Sequence, residues 1–229
     1  MAHILSIETS TTVCSVALHK DGELLAIRED SRPNSHAVNI TLFAEAVSSE
    51  AGIPLNNLDA IAVSKGPGSY TGLRIGVSAA KGLCYGLDKP LVAINTLEGM
   101  TRNEQLTGQI TPSTLLCPMI DARRMEVYSA LFDSQHNWLE ETRAVIVDET
   151  SFLGHLDQHT ILFFGDGAAK CKSVITHPNA VFVDGITPST RQTGQLAYEY
   201  YQRQRFENVA YFEPFYLKEF MGTVAKKPV

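Results

Sequence analysis

The sequence predicts an α/β protein built on a mixed sheet, and three observations carry that prediction. Apolar runs of strand length alternate with helical patterns in the first half of the chain. They arrive in the order β-β-β-α-β-α-β, which calls for antiparallel strands followed by parallel ones joined by right-handed crossovers. A second strand-rich series starts after Pro112, so the 229 residues have length for one large domain or two smaller ones.

Taken in order, strands are expected at Ile4–Glu8, Val13–His19 and Glu23–Glu29. Lys20-Asp21-Gly22 reads as the hairpin turn between the second and third. The first turn, Glu8-Thr9-Ser10-Thr11-Thr12, is rich in hydroxyls. A helix follows from Ser35, its expected N-cap, to Glu50, stopped by Gly52 and Pro54. Its apolar residues Val38, Ile40, Leu42, Phe43, Ala46 and Val47 cover an arc of roughly 200° at 100° per residue. A helix lying on one sheet needs about half of that, so a second apolar neighbour is expected. Next come a strand at Asp59–Ser64, a helix at Thr71–Leu87, a strand at Leu91–Ile94 and a helix at Leu97–Gln105. Gly108–Pro112 reads as a linker dividing residues 1–107 from 108–229.

The second part begins with strands at Leu115–Ile120, Met125–Asp133 and Trp138–Val147. A short helix is expected to start at Thr150, with further strands at Ile161–Phe164 and Ala180–Val183 and a helix at Thr193–Arg203. The tail segment Phe212–Leu217 is apolar enough to dock, and Lys226–Val229 is expected to be loose. The two parts share a β-rich-then-α character without an exact repeat.

Composition narrows the function classes. Hydrophobic residues at 44% and charged residues at 19% are those of an ordinary globular protein, and the net charge of −6 gives no global attraction for nucleic acid. Cys14, Cys84, Cys117 and Cys171 lie far apart without a C-x-x-C pair, which favours reduced, buried thiols over disulfides or zinc. No secretory leader is evident, and no apolar stretch approaches the ~18 residues of a membrane span. A cytoplasmic location is expected.

The chemistry-bearing patterns centre on Lys65-Gly66-Pro67-Gly68-Ser69-Tyr70, a glycine loop between a strand and a helix. Such a loop can aim backbone N–H groups at an anion, or simply turn a strand into a helix. It lacks the Gly-Lys-Ser/Thr end of a P-loop and the third glycine of a dinucleotide fingerprint, where Thr71 stands. Beyond it, Arg74, Ser78, Lys81 and Tyr85 share one side of the helix, while Gly72, Gly76, Ala79, Leu83 and Gly86 line the other. Interior glycines cost up to ~1 kcal/mol each, so close packing within the domain or against another subunit should compensate. G-x-S-x-G is broken around Ser69, and nothing in the spacing favours a Ser69/His36/Asp121 triad. His155 and His159 stand i, i+4 without a third ligand. Asp121-Ala122-Arg123-Arg124 and Gly165-Asp166-Gly167 follow strands and read as turns, the second with some nucleotide-site flavour.

Together these pieces resemble the TsaB (YeaZ) family. The resemblance rests on Ile7-Glu8-Thr9-Ser10, Ser35-His36-Ala37, the run Gly66 to Gly76, Asp121 to Tyr128, Gly165-Asp166-Gly167 and Tyr216-Leu217-Lys218, and spans almost the whole chain. It implies the actin-like ATPase (ribonuclease H-like) fold, with two lobes each holding a mixed sheet flanked by helices. It further implies a role in forming N6-threonylcarbamoyladenosine at position 37 of tRNAs that read codons starting with A. The transferase of that system is the paralogue TsaD, whose H-x-x-x-H metal motif falls here on Thr96 and Met100. Neither side chain replaces imidazole on an iron- or zinc-type metal. The chain is accordingly expected to be a noncatalytic subunit without a metal or cofactor of its own. TsaD, the small ATPase TsaE and a second copy of itself are the expected partners, with tRNA met only indirectly.

The expected partner-binding residues are Val38, Leu42, Val47, Gly72, Gly76, Ala79, Ala80 and Leu83. Glu8, Ser10, Thr11, Gly66, Gly68, Ser69, Gly165 and Gly167 form an expected vestigial nucleotide site. Glu8 departs from the Asp usual at that turn in sugar kinases and actin, and ATP or ADP at a subunit interface remains open. The alternative is an ATP-dependent phosphotransferase or peptidase of the same fold.

Overall fold

The structure, a computed structural model, describes residues 1–32 and 35–218. Lys226–Val229 lie outside the described residues. Among the described residues ten strands form two five-stranded sheets. The first contains β1 (His3–Glu8), β2 (Cys14–Lys20), β3 (Glu23–Asp30), β4 (Ala60–Gly66) and β5 (Leu91–Asn95), in the order β3-β2-β1-β4-β5. The second contains β6 (Thr114–Asp121), β7 (Glu126–Phe132), β8 (Trp138–Ile146), β9 (Thr160–Phe164) and β10 (Ala180–Val183), in the order β10-β9-β6-β7-β8. Counted from its own first strand, each sheet has the same order, with three antiparallel strands and then two parallel ones.

The helices of the first lobe are long: α1 (His36–Ala51) and α2 (Tyr70–Leu87). They cover one face of the sheet, α1 over β2 and β3 and α2 over β4, and close a core of Leu5, Ile7, Val16, Ile40, Val47, Val63, Val77 and Ala80. The Asp21-Gly22 hairpin turn adopts the left-handed backbone its sequence predicts, with φ of 51° and 88°. In the second lobe the short α4 (Leu153–Leu156) and α5 (Ala168–Cys171) pack on one face of the sheet.

Between the sheets lies α3 (Thr96–Thr101), whose six residues are all buried. Leu97 and Met100 pack with Leu116, Ile120, Phe132 and Phe164 of the second sheet. The predicted helix at Leu97–Gln105 thus breaks after Thr101 into a separate single turn at Glu104–Leu106 capped by Asn103. The last helix, α6 (Thr190–Gln202), returns to the first sheet and packs Leu196, Ala197 and Tyr200 against Ile4, Val92 and Ile94. A cut at residue 107 therefore does not yield two self-contained halves, because α6 covers the open face of the first sheet.

Candidate functional site

The β4–α2 loop is positioned by close contact with the β1–β2 turn. Gly66 has φ of 110°, a left-handed conformation that side chains disfavour. A Cβ on Gly68 would lie 2.6 Å from that of Ser10, and would overlap its carbonyl oxygen. The Ser69 amide donates to that carbonyl at 2.6 Å. The Ser69 hydroxyl caps α2 by accepting from the Gly72 amide at 3.3 Å. Inside the turn, the Glu8 carboxylate accepts from the Ser10 amide at 2.5 Å and from the Ser64 hydroxyl. Burial pushes the Glu8 pKa up against these hydrogen bonds. The Ser10, Ser69 and Gly72 amides are therefore already engaged, and the two loops rest directly on each other. Thr11 lies beside them, its carbonyl accepting a hydrogen bond from His36 Nε2 at 2.9 Å.

Gly165 and Gly167 belong to the second lobe. There Asp166 accepts from the Asp121 amide at 3.0 Å, and Gly167 packs on Ile120 and Asp121. Ser69, His36 and Asp121 do not form a triad: Ser69 caps α2, His36 meets Thr11, and Asp121 pairs with Lys170. Ser35 does not cap α1 through its side chain, because its backbone is already helical. His155 meets Glu140 at 2.8 Å, whereas His159 faces the Ser113 carbonyl at 3.3 Å. Among the described residues no group of three or more His, Cys, Asp or Glu is placed to hold a metal. Thr96 and Met100 are both buried, Met100 within an apolar cluster. All four cysteines are buried and free, and burial pushes Cys14 up to about 11 and Cys84 and Cys117 to about 12. Such thiols carry little thiolate at neutral pH.

The partner-facing residues named from the sequence divide into two sets. Val47, Gly72, Gly76 and Ala80 point inward, and this corrects their assignment to an outer surface. A side chain on Gly72 or Gly76 would overlap Thr9, whose hydroxyl donates to the Gly72 carbonyl at 2.8 Å. The helix glycines thus serve the packing of α2 on the β1–β2 turn. Val38 and Leu42 point outward and are 64% and 56% exposed. On α2, Ile75, Ala79 and Leu83 are half-buried, while Ser78, Gly82, Gly86 and Tyr85 (88% exposed) complete its outer side.

Sequence reasoning missed Glu98 on α3. Buried beside Tyr200, its carboxylate accepts that hydroxyl at 2.8 and 2.9 Å, and burial pushes its pKa up. A lone acid in an otherwise uncharged helix, between Thr96 and Met100, was the available signal.

Two lobes of identical strand order, with a glycine turn after the fourth strand of each, define an actin-like α/β protein. A family model described as TsaD: tRNA N6-adenosine threonylcarbamoyltransferase matches residues 30–218. The tRNA threonylcarbamoyladenosine biosynthesis protein TsaB of Bacillus subtilis (strain 168) is 31% identical over 75% of this chain and 74% of its own. The protein of the same name from Haemophilus influenzae is 29% identical over 94% of this chain and 93% of its own. The solved structure of YeaZ from Pseudomonas aeruginosa superposes with a TM-score of 0.82 at 25% identity, covering 95% of this chain and all of that one. The chain belongs to the TsaB (YeaZ) family.

Proposed function

We propose that this chain is a noncatalytic subunit that binds a TsaD-type threonylcarbamoyltransferase through the outer faces of α1 and α2. In that role it supports N6-threonylcarbamoyladenosine formation at position 37 of tRNAs reading codons that start with A. The observation that carries the reading is the exposed apolar surface centred on Val38 and Leu42, beside the small and half-buried residues of α2. Adjacent helices that keep apolar side chains in water make a surface suited to a second pair of helices. TsaE as a further partner, a homodimer through the same surface when the chain is alone, and a cytoplasmic setting belong to the same proposal. No helix among the described residues is long and apolar enough to cross a membrane.

A noncatalytic role is supported by three local features. Thr96 and Met100 provide no imidazole, Met100 fills a core position, and the Ser10, Ser69 and Gly72 amides are bonded within the chain. Nucleotide, if any binds, is placed by this reading at a subunit interface rather than between those loops.

The experiment is co-elution of the purified chain with TsaD, using wild type and the Val38→Asp/Leu42→Asp variant. The variant is expected to keep its melting temperature within a few degrees and to lose co-elution and reconstituted tRNA modification. Unchanged co-elution would refute the surface, and modification by the chain without TsaD would refute the noncatalytic role.

A further inference from the structure

The chain ends its described course by crossing the β4–α2 loop. After α6, the Glu207 amide donates to the Leu91 carbonyl at 2.9 Å, on the outer strand of the first sheet. Val209 and Phe212 pack on the lobe's core, and Lys81 of α2 donates to the carbonyls of Ala210 at 3.1 Å and Phe212 at 3.0 Å. The Phe215 amide then donates to the Lys65 carbonyl at 2.7 Å. Gly66 has no side chain to obstruct this approach; a Cβ there would lie 2.9 Å from the Phe215 carbonyl oxygen. The Tyr216 ring sits 4.8 Å from that of Tyr70, over which Arg74 stacks at 4.6 Å. Finally, Lys218 pairs with Glu126 at the start of β7, in the other lobe.

These contacts describe a receptor for an extended peptide. A strand-end carbonyl accepts a backbone amide, an aromatic platform takes a ring, and an acid across the cleft takes a lysine two residues further on. Strand-like peptide docking uses this combination of main-chain pairing and alternate side-chain sites. Among the described residues, Phe215–Lys218 is held by a backbone hydrogen bond, a ring contact and a half-exposed ion pair. A segment so held can open without unfolding the core. Its covalent attachment keeps its local concentration high, so a free competitor meets a covered site.

We infer that the Lys65–Tyr70 loop, with Glu126 opposite, is a docking site for an extended segment that carries an aromatic ring and, two residues further on, a lysine. The chain covers this site with its own Phe215-Tyr216-Leu217-Lys218.

The test uses the full chain as wild type and as the Tyr216→Ala/Lys218→Glu variant, with a fluorescein-labelled synthetic peptide of residues 206–218 as the probe. Hydrogen exchange at the Phe215 amide should quicken at least about tenfold in the variant, and the probe should bind the variant at least about tenfold more tightly than wild type. A probe carrying the same two substitutions should bind neither. Should the double variant misfold, Lys218→Glu alone alters only a half-exposed side chain and should raise probe affinity about threefold. Equal probe affinity for variant and wild type, unchanged exchange at Phe215, or equal binding of the substituted probe would each overturn the inference.

Discussion

The two lobes repeat one topology and use it differently. Each turns after its fourth strand through a Gly-x-Gly whose first glycine is left-handed, with φ of 110° at Gly66 and 105° at Gly165. In each, the second glycine packs on the main chain at the end of the first strand or the turn beyond it. The first lobe then builds helices of 16 and 18 residues, whereas the second builds helices of four. Its first strand ends in a buried acid, Glu8, where the second lobe ends in the exposed Asp121 paired with Lys170. The repeated part is the turn that a strand-to-helix junction requires. The part that differs is the outer layer: among the described residues, the long helices that carry an exposed apolar side lie on the first lobe.

The largest expected effect tests the shared turn. Gly68→Ala forces a methyl group into the backbone of Ser10, with little room for either loop to yield. A cost of about 3 kcal/mol or more is expected, at the upper end for overpacking. The matching change in the second lobe, Gly167→Ala, meets the Ile120 carbonyl carbon at 2.9 Å and the Asp121 amide nitrogen at 3.0 Å. There the outer layer is thin, and about 1–2 kcal/mol is expected. Urea unfolding of the two variants measures both. A cost for Gly167→Ala equal to or above that for Gly68→Ala would mean that the first lobe's junction is no tighter than the second's.

A buried, acid-sensitive histidine gives a further test within the first lobe. His19 on β2 is fully buried under α6, where Gly194 leaves space for its ring. Burial lowers its pKa from 6.5 to about 4. Above pH 6.5 both folded and unfolded imidazoles are neutral and stability is unaffected. Between pH 6.5 and 4 the unfolded chain takes up a proton that the folded chain refuses, so stability declines as pH falls, by about 3 kcal/mol in full. Glu8 and Glu98, whose pKa values are raised, act in the opposite direction: protonation on acidification relieves a buried charge. Comparing wild type with His19→Gln at pH 7 and 4.5 isolates the histidine. The variant should lose less stability than wild type over that interval, and an equal loss would remove His19 as the cause.

Much of this was legible in the sequence because its signals are local. Asp21-Gly22 announced a left-handed hairpin turn, and Gly66-Pro67-Gly68 announced a strand-to-helix junction. The direction in which each helix faces was not legible. The apolar arc of α1 is wide enough for two neighbours, and periodicity alone does not say which half meets the sheet. The pattern therefore groups Val47 with Val38 and Leu42 as partner-binding, although it is buried. Gly72 and Gly76 carried the same ambiguity, since small residues suit a subunit contact and a tight internal contact equally. Their partner, Thr9, lies more than sixty residues earlier, a pairing that only tertiary structure supplies. Helix α5 has four residues, too few for a periodic pattern to register.

The smallest expected effect separates the two uses of glycine within α2. Gly76 would drive a methyl group into the Thr9 side chain, whereas Gly82 has nothing within 4 Å of where a Cβ would stand. Gly82→Ala should therefore stabilise the chain by about 0.5–1 kcal/mol, the ordinary helix-propensity difference. On the proposed docking side the same methyl group enters a surface whose small residues permit close helix approach. Affinity for TsaD should then fall by about threefold to tenfold as the melting temperature rises. That opposition is the useful result, because a folding defect would lower both quantities together. A variant that melts higher and binds TsaD as tightly as wild type would place Gly82 outside the footprint, narrowing the contact toward Val38 and Leu42.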